Sequence, residues 1–180
     1  RKKDGGSRFC IDFRGLNSVT VADSLTVPCI ESCIDSLGAQ SPRYFSVLDM
    51  ASGYWQIELD EESQQKTAFS TSDGLTYAWK VMPMGAKNSG CTFQRAMTQI
   101  LAGLHWKFVL IYMDDVVIFS KSFSEHARQL EEVFQKLQEA NIKVNPKKCM
   151  FGASEVKYLG YVVDQYGVRV DPDRSEERRV

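Results

Sequence analysis

The chain has 180 residues, 43% of them hydrophobic and 25% charged, with a formal net charge of −1. That length supports one sizeable core, or one domain with an appended subdomain, and the composition is that of an ordinary soluble globular protein. No apolar run reaches the roughly 20 residues that span a bilayer, Arg1-Lys2-Lys3-Asp4-Gly5-Gly6 has no apolar stretch behind it and so is not a signal peptide, and near-neutral charge gives no bulk electrostatic case for nucleic-acid binding.

In chain order, Arg8–Phe13 alternates weakly and reads as a strand, followed by Arg14-Gly15-Leu16-Asn17. Pro28 can open a helix whose Ile30, Cys33, Ile34 and Leu37 share one face, with Gly38 as its stop. Tyr44–Asp49 reads as a strand that ends in an aspartate, and Asp60-Glu61-Glu62 as an acidic turn. Lys66–Thr71 and Leu75–Val81 flank Asp73-Gly74, a hairpin signal. Pro83-Met84-Gly85 breaks the second of these strands. Asn88 or Ser89 then caps a helix striped by Phe93, Ala96, Met97, Ile100 and Leu104. Phe108–Phe119 holds two apolar, β-branched runs around Asp114 and Asp115, the pattern of a hairpin with acids at its tip.

Ser122 and Glu125 have capping-box spacing, and the helix they open carries Ala127, Leu130, Val133, Phe134, Leu137 and Ala140 before Pro146. Tyr158–Val163 and Val168–Val170 straddle Asp164–Gly167 as a last hairpin. The basic clusters Arg1–Arg14 and Lys143–Lys148 are either local nucleic-acid footprints or solvated faces. Five cysteines (Cys10, Cys29, Cys33, Cys91, Cys149) include no CxxC pair, and no histidine near Cys29 and Cys33 completes a zinc set. Reduced thiols in an intracellular protein are expected.

These elements give β-α-β-β-α, most of a split βαβ, ferredoxin-like α+β layout. Adjacent anions at an apolar hairpin tip repel each other and cost several kcal/mol per buried charge unless a cation neutralises them. Two readings of Asp114-Asp115 follow: a surface turn, or a site for hard divalent cations such as Mg²⁺. Because Asp49 closes a strand that can lie beside the hairpin, three carboxylates far apart in sequence can converge. Three such groups can hold two Mg²⁺ ions for in-line phosphoryl displacement, and Lys2 or Lys3, Arg8 and Arg14 are cations available for a triphosphate.

Tyr112-Met113-Asp114-Asp115 resembles the Tyr-x-Asp-Asp box of reverse transcriptases. Further blocks resemble that family in the same order. They are Arg8–Asn17, Leu48–Ile57, Lys66-Thr67-Ala68-Phe69, Met82–Asn88, Thr92-Phe93-Gln94 and Tyr158-Leu159-Gly160-Tyr161. The wording is most similar to the gypsy-type branch of LTR-retrotransposon Pol polyproteins.

The resemblance implies the fingers and palm of a right-hand polymerase, without its thumb. Fingers would take 1–43 and 54–82, palm 44–53 and 83–164 with a primer-grip hairpin at 156–163, and 165–180 would lead toward the thumb. It implies Asp49 and Asp114 as principal ligands of two Mg²⁺ ions, with Mn²⁺ as an alternative, and Asp115 in support. Lys2, Lys3, Arg8, Tyr54 and Met84 would contact the nucleotide, Tyr54 as the ring that excludes a 2′-hydroxyl. Asp12, Arg14, Gly85, Tyr112, Met113, Leu159, Gly160 and Tyr161 would lie along template and primer.

The implied partners are an RNA or DNA template, a DNA or tRNA-like primer, deoxynucleoside triphosphates, and thumb, RNase H, integrase and protease domains in cis. No membrane partner is implied. Both ends read as cuts within a longer protein, and the implied setting is a cytoplasmic retroelement particle. Met84 stands where the family commonly carries Gln or Phe, Gly90 where it carries Pro, and Leu25–Pro28 departs from its aromatic-Pro-Leu-Pro run. Arg174–Val180 matches nothing in the family. These departures leave a second reading, a catalytically inactive or repurposed nucleic-acid-binding module that keeps the fold.

Overall fold

The computed structural model describes residues 9–24 and 28–172. Its elements are α1 (Arg14–Val19), α2 (Ile30–Gln40), β1 (Tyr44–Asp49), α3 (Glu61–Lys66), β2 (Phe69–Ser70), β3 (Thr76–Tyr77), α4 (Ser89–Ile100), β4 (Val109–Tyr112), β5 (Asp115–Ser120), α5 (Phe123–Glu139), β6 (Met150–Ala153), β7 (Glu155–Tyr158), β8 (Tyr161–Asp164) and β9 (Gly167–Val170). They divide into two compact units: described residues 9–24 and 52–93 form one, and 28–51 and 94–172 the other.

In the first unit, residues 9–13 are not a strand. The Asp12 carboxylate accepts the backbone N–H of Arg14 at 3.0 Å and so turns the chain directly into α1. The acidic turn at Asp60 is a helix start, because the Asp60 side chain accepts the N–H of Ser63 at 2.9 Å. That helix absorbs Lys66. The hairpin across Asp73-Gly74 therefore shrinks to the pairs Phe69↔Tyr77 and Ser70↔Thr76. Its small ladder is braced by rings, with Phe69 stacked on Tyr77 at 5.9 Å and Trp55 against Trp79 at 5.8 Å.

The second unit is built on an antiparallel sheet of order β4-β5-β1-β6. The chain sequence β1-α4-β4-β5-α5-β6 makes this the split βαβ layout expected, now completed by β6. Met150–Ala153 gave no sequence signal because it is a short, half-exposed edge strand whose register on β1 slips between Phe45 and Val47. One core cluster joins Cys33, Ile34 and Leu37 of α2 to Phe45, Leu110, Val117 and Phe119 of the sheet and to Val156, Tyr158 and Val163 beyond it. Gly38 does not stop α2. The helix runs to Gln40 and ends at Ser41, which takes the left-handed conformation at φ 45°. Gly38 instead faces Val168, and a Cβ there would lie 3.9 Å from that side chain.

Helix α5 begins as its capping box predicts, with Ser122 accepting from the N–H of Glu125 at 3.4 Å. Its buried residues are His126, Gln129, Val133 and Leu137. Only Val133 and Leu137 of the predicted stripe are fully inside, and Ala127 is exposed. The expected single strand Tyr158–Val163 is two strands, β7 and β8, because Leu159 (φ 53°) and Gly160 (φ 85°) turn the chain between them. Positive φ at both loop positions is what a tight type I′ hairpin requires.

Candidate active site

The register of β1 on β5 decides the geometry of the acids. Tyr44↔Ser120 through Leu48↔Val116 are core pairs, and the last pair is Asp49↔Asp115. On the other side of β5, Tyr112↔Asp115 closes the hairpin, leaving Met113 and Asp114 as its two-residue loop. Two carboxylates thus face each other across neighbouring strands, and Asp114 follows at the tip. The residues of the pairs behind them are mostly buried, apolar except for Ser46 and Ser120, so a one-residue slip would break this packing, and burial locks the register.

The electrostatics follow from that placement. The protein bulk around the Asp115 carboxyl disfavours its charge even though its edge reaches solvent. The charges of Asp114 and Asp49 push its pKa up further. Lys148 places its Nζ 3.4 Å from Oδ2 of Asp49, an exposed ion pair of small energetic weight. Cys149 lies on the same strand end, its Sγ accepting the Asp49 N–H at 3.4 Å. The donor set is three hard carboxylates with no imidazole, which suits an oxygen-seeking divalent cation. As the side chains stand, no group of three or more His, Cys, Asp or Glu among the described residues is drawn together tightly enough to enclose an ion.

The other residues singled out in the sequence fall elsewhere. Leu159 and Gly160 form the β7–β8 turn and Tyr161 opens β8, all in the unit that holds the acids. In the first unit, Tyr54 sits in a single 3₁₀ turn, Gly53–Gln56, with its ring 5.3 Å from that of Phe93. Met84 is exposed, and Gly85 takes φ 93° beside Phe13. The Gly85 carbonyl accepts from Asn17 Nδ2 at 2.9 Å. Asp12 and Arg14 are ion-paired to each other at 2.6 Å, and the Arg14 guanidinium holds the Asp12 carboxyl at about 2. Lys2, Lys3 and Arg8 lie outside the described residues.

Two polar residues met in the sequence without a role adjoin the acids. Lys148 was visible only as part of a basic cluster. Gln94 was visible as the last residue of the family block Thr92-Phe93-Gln94, without a role, and its burial at 3% exposure was the missing signal.

A four-stranded antiparallel sheet in this order, with two connecting helices and acids at the ends of its middle strands, has the architecture of a right-hand polymerase palm. The chain belongs to the reverse transcriptase (RNA-dependent DNA polymerase) family, whose model matches residues 1–163. It is 42% identical over 165 residues to the retrovirus-related Pol polyprotein from transposon 297 of Drosophila melanogaster, covering 92% of this chain and 15% of that protein. Against the Pol polyprotein from transposon gypsy of the same organism it is 38% identical over 167 residues, covering 93% and 16%. The chain therefore spans about one sixth of the length of these curated relatives. Among solved structures it is similar to a foamy viral protease-reverse transcriptase in complex with double-stranded DNA. The TM-score is 0.85 at 27% identity, over 100% of this chain and 31% of that one. No helix among the described residues is long and apolar enough to cross a membrane.

Proposed function

We propose that this chain is the carboxylate-bearing part of an RNA-directed DNA polymerase that joins deoxynucleotides to a primer 3′ hydroxyl and releases pyrophosphate. The observation that carries the reading is the strand pair Asp49↔Asp115 with Asp114 next to it, inside a member of the reverse transcriptase family. Asp49 and Asp114 are assigned as principal ligands of Mg²⁺, with Asp115 supporting. When bound, the metal lowers the pKa of the attacking hydroxyl and neutralises charge on the leaving oxygens.

The chain's own residues position the rest. Tyr54 presents its ring to the sugar of the incoming nucleotide, and Lys2, Lys3 and Arg8 take its triphosphate. Gly85 and Met84 lie along nucleotide and template. Tyr112, Met113 and the Leu159-Gly160-Tyr161 turn steady the primer end. Asp12 and Arg14 lie along the template. Template, primer and the thumb, RNase H, integrase and protease domains of a longer polyprotein are the proposed partners.

The test is primer extension by the chain lengthened through the following thumb segment, with and without Mg²⁺. Extension by wild type and its loss in Asp114→Asn and Asp49→Asn is the expected result. Equal extension by wild type and Asp114→Asn discards the metal assignment. The departures from the family pattern at Met84 and Gly90 leave a second reading, a nucleic-acid-binding module without turnover. Binding of template-primer with no extension by any variant would establish it.

A further inference from the structure

The hairpin that carries Asp114 and Asp115 turns through an unfavourable residue. Met113 has φ 54°, and it is the first of the two loop positions between Tyr112 and Asp115. Asp114 has no positive φ, so only the first loop position is left-handed, the position glycine takes in a type II′ hairpin. A long side chain there is strained, and such a conformation persists only when its surroundings over-determine it. Nothing in the local sequence supplies that constraint.

Gln94 supplies it. It lies on α4 at 3% exposure, and its amide grips the hairpin at two points. Oε1 accepts the Met113 N–H at 2.6 Å, and Nε2 donates to the Ile111 carbonyl at 3.2 Å. Ile111 pairs with Val116 next to the closing pair Tyr112↔Asp115, so its carbonyl points away from β5. Since β4 is an edge strand among the described residues, that carbonyl has no strand partner among them. The amide is itself held by Thr98 one turn on, which accepts from Nε2 at 3.4 Å and donates to the Gln94 carbonyl at 2.8 Å.

We infer that Gln94 is a positioning residue for the acidic turn: it holds Met113 in its left-handed conformation and thereby sets where Asp114 and Asp115 present their carboxylates. The inference rests on the metal-binding reading above. Neither an apolar side chain nor a carboxylate does the same work at this spot. An apolar residue leaves both backbone groups unsatisfied, while a carboxylate keeps the acceptor, loses the donor and adds an anion behind two others.

The experiment compares wild type with Gln94→Met, Gln94→Glu and Gln94→Met/Met113→Gly. Glycine takes a positive φ without a clamp. The measurements are hydrogen exchange at the Met113 amide, Mn²⁺ binding by titration, melting temperature, and the Mg²⁺ concentration giving half-maximal primer extension by the thumb-extended chain.

The expected results are slow exchange at Met113 in wild type and at least about tenfold faster exchange in Gln94→Met. Mn²⁺ binding should weaken, and the half-maximal Mg²⁺ concentration rise, by about 10- to 100-fold, the range expected for small misplacements of reacting groups. Gln94→Glu should keep the Met113 amide protected, and Met113→Gly should recover most of the metal affinity lost in Gln94→Met. Fast Met113 exchange in wild type overturns the inference even if no variant folds. So does faster exchange in Gln94→Met with metal binding unchanged. If Asp114→Asn binds Mn²⁺ as wild type does, the metal reading falls instead, while the exchange result still reports on the clamp.

Discussion

His126 shows how one buried side chain organises several elements. At 1% exposure it bridges β1 and β5, with Nε2 2.7 Å from the Ser46 hydroxyl and Nδ1 2.7 Å from that of Ser120. Ser120 donates to Oε1 of Gln129, so it accepts from Nδ1–H; in the neutral ring Nε2 then accepts from Ser46, which in turn accepts the Gly152 N–H at 3.0 Å. Burial favours the neutral imidazole, depressing its pKa below the ordinary 6.5 despite the nearby charge of Glu125.

A depressed histidine pKa means the unfolded chain binds the proton more readily. This contribution to stability is therefore complete above about 6.5 and is lost as pH falls through that value toward the native pKa. His105, also depressed by burial, has the same sign. The urea midpoint should thus drop between pH 7.5 and 5.5, and the double variant His105→Ala/His126→Ala, less stable throughout, should lose most of that slope. Ser46→Ala should cost about 1–3 kcal/mol, the cost of unsatisfied buried partners. At Tyr54, the proposed role predicts that Tyr54→Val admits ribonucleotides in single-nucleotide incorporation. Unchanged discrimination would leave Tyr54 as a ring packed on Phe93.

At the scale of elements, helix α5 separates what periodicity reveals from what it hides. Its apolar residues suggest a face through Ala127, Leu130, Val133, Phe134 and Leu137. The face turned inward runs through His126, Gln129, Val133 and Leu137 instead. Hydrophobicity alone misplaces the face because the protein uses two polar residues to satisfy hydroxyls on the sheet, and a burial scale counts those residues as outside. The expected consequence is asymmetric. Val133→Ala or Leu137→Ala should destabilise by about 1–4 kcal/mol, as buried truncations do, whereas Ala127→Ser should stay within about 0.5 kcal/mol. Equal losses in chemical denaturation would return the face to its hydrophobic stripe. Strands reveal themselves unevenly for the same kind of reason. The bounds of β1 agree with its apolar pattern, while β6, an edge strand, is recognised only by the neighbour it pairs with.

For the molecule as a whole, the near-zero charge and the small share of the relatives that the chain spans bear on one expectation. Its grip on nucleic acid should rest on a few local cations rather than on a global field. Template-primer binding by these 180 residues should be weak and fall steeply between about 50 and 200 mM salt, with little processive synthesis. Salt-independent binding in a fluorescence anisotropy titration would count against backbone-dominated contact.

By itself the amino-acid order determined the local matters: which runs are apolar strands, where α5 is capped, that two acids stand between apolar runs, and which family the ordered blocks resemble. Those properties reside in residue type and spacing over a few positions. Only tertiary structure decided that Asp49 faces Asp115, that β6 completes the sheet, that α5 turns its polar residues inward, and that Gln94 reaches the acidic turn. Each of these depends on a partner distant along the chain. A pairing register or a buried amide leaves no period in the sequence, because it is selected by what lies opposite and not by what lies next.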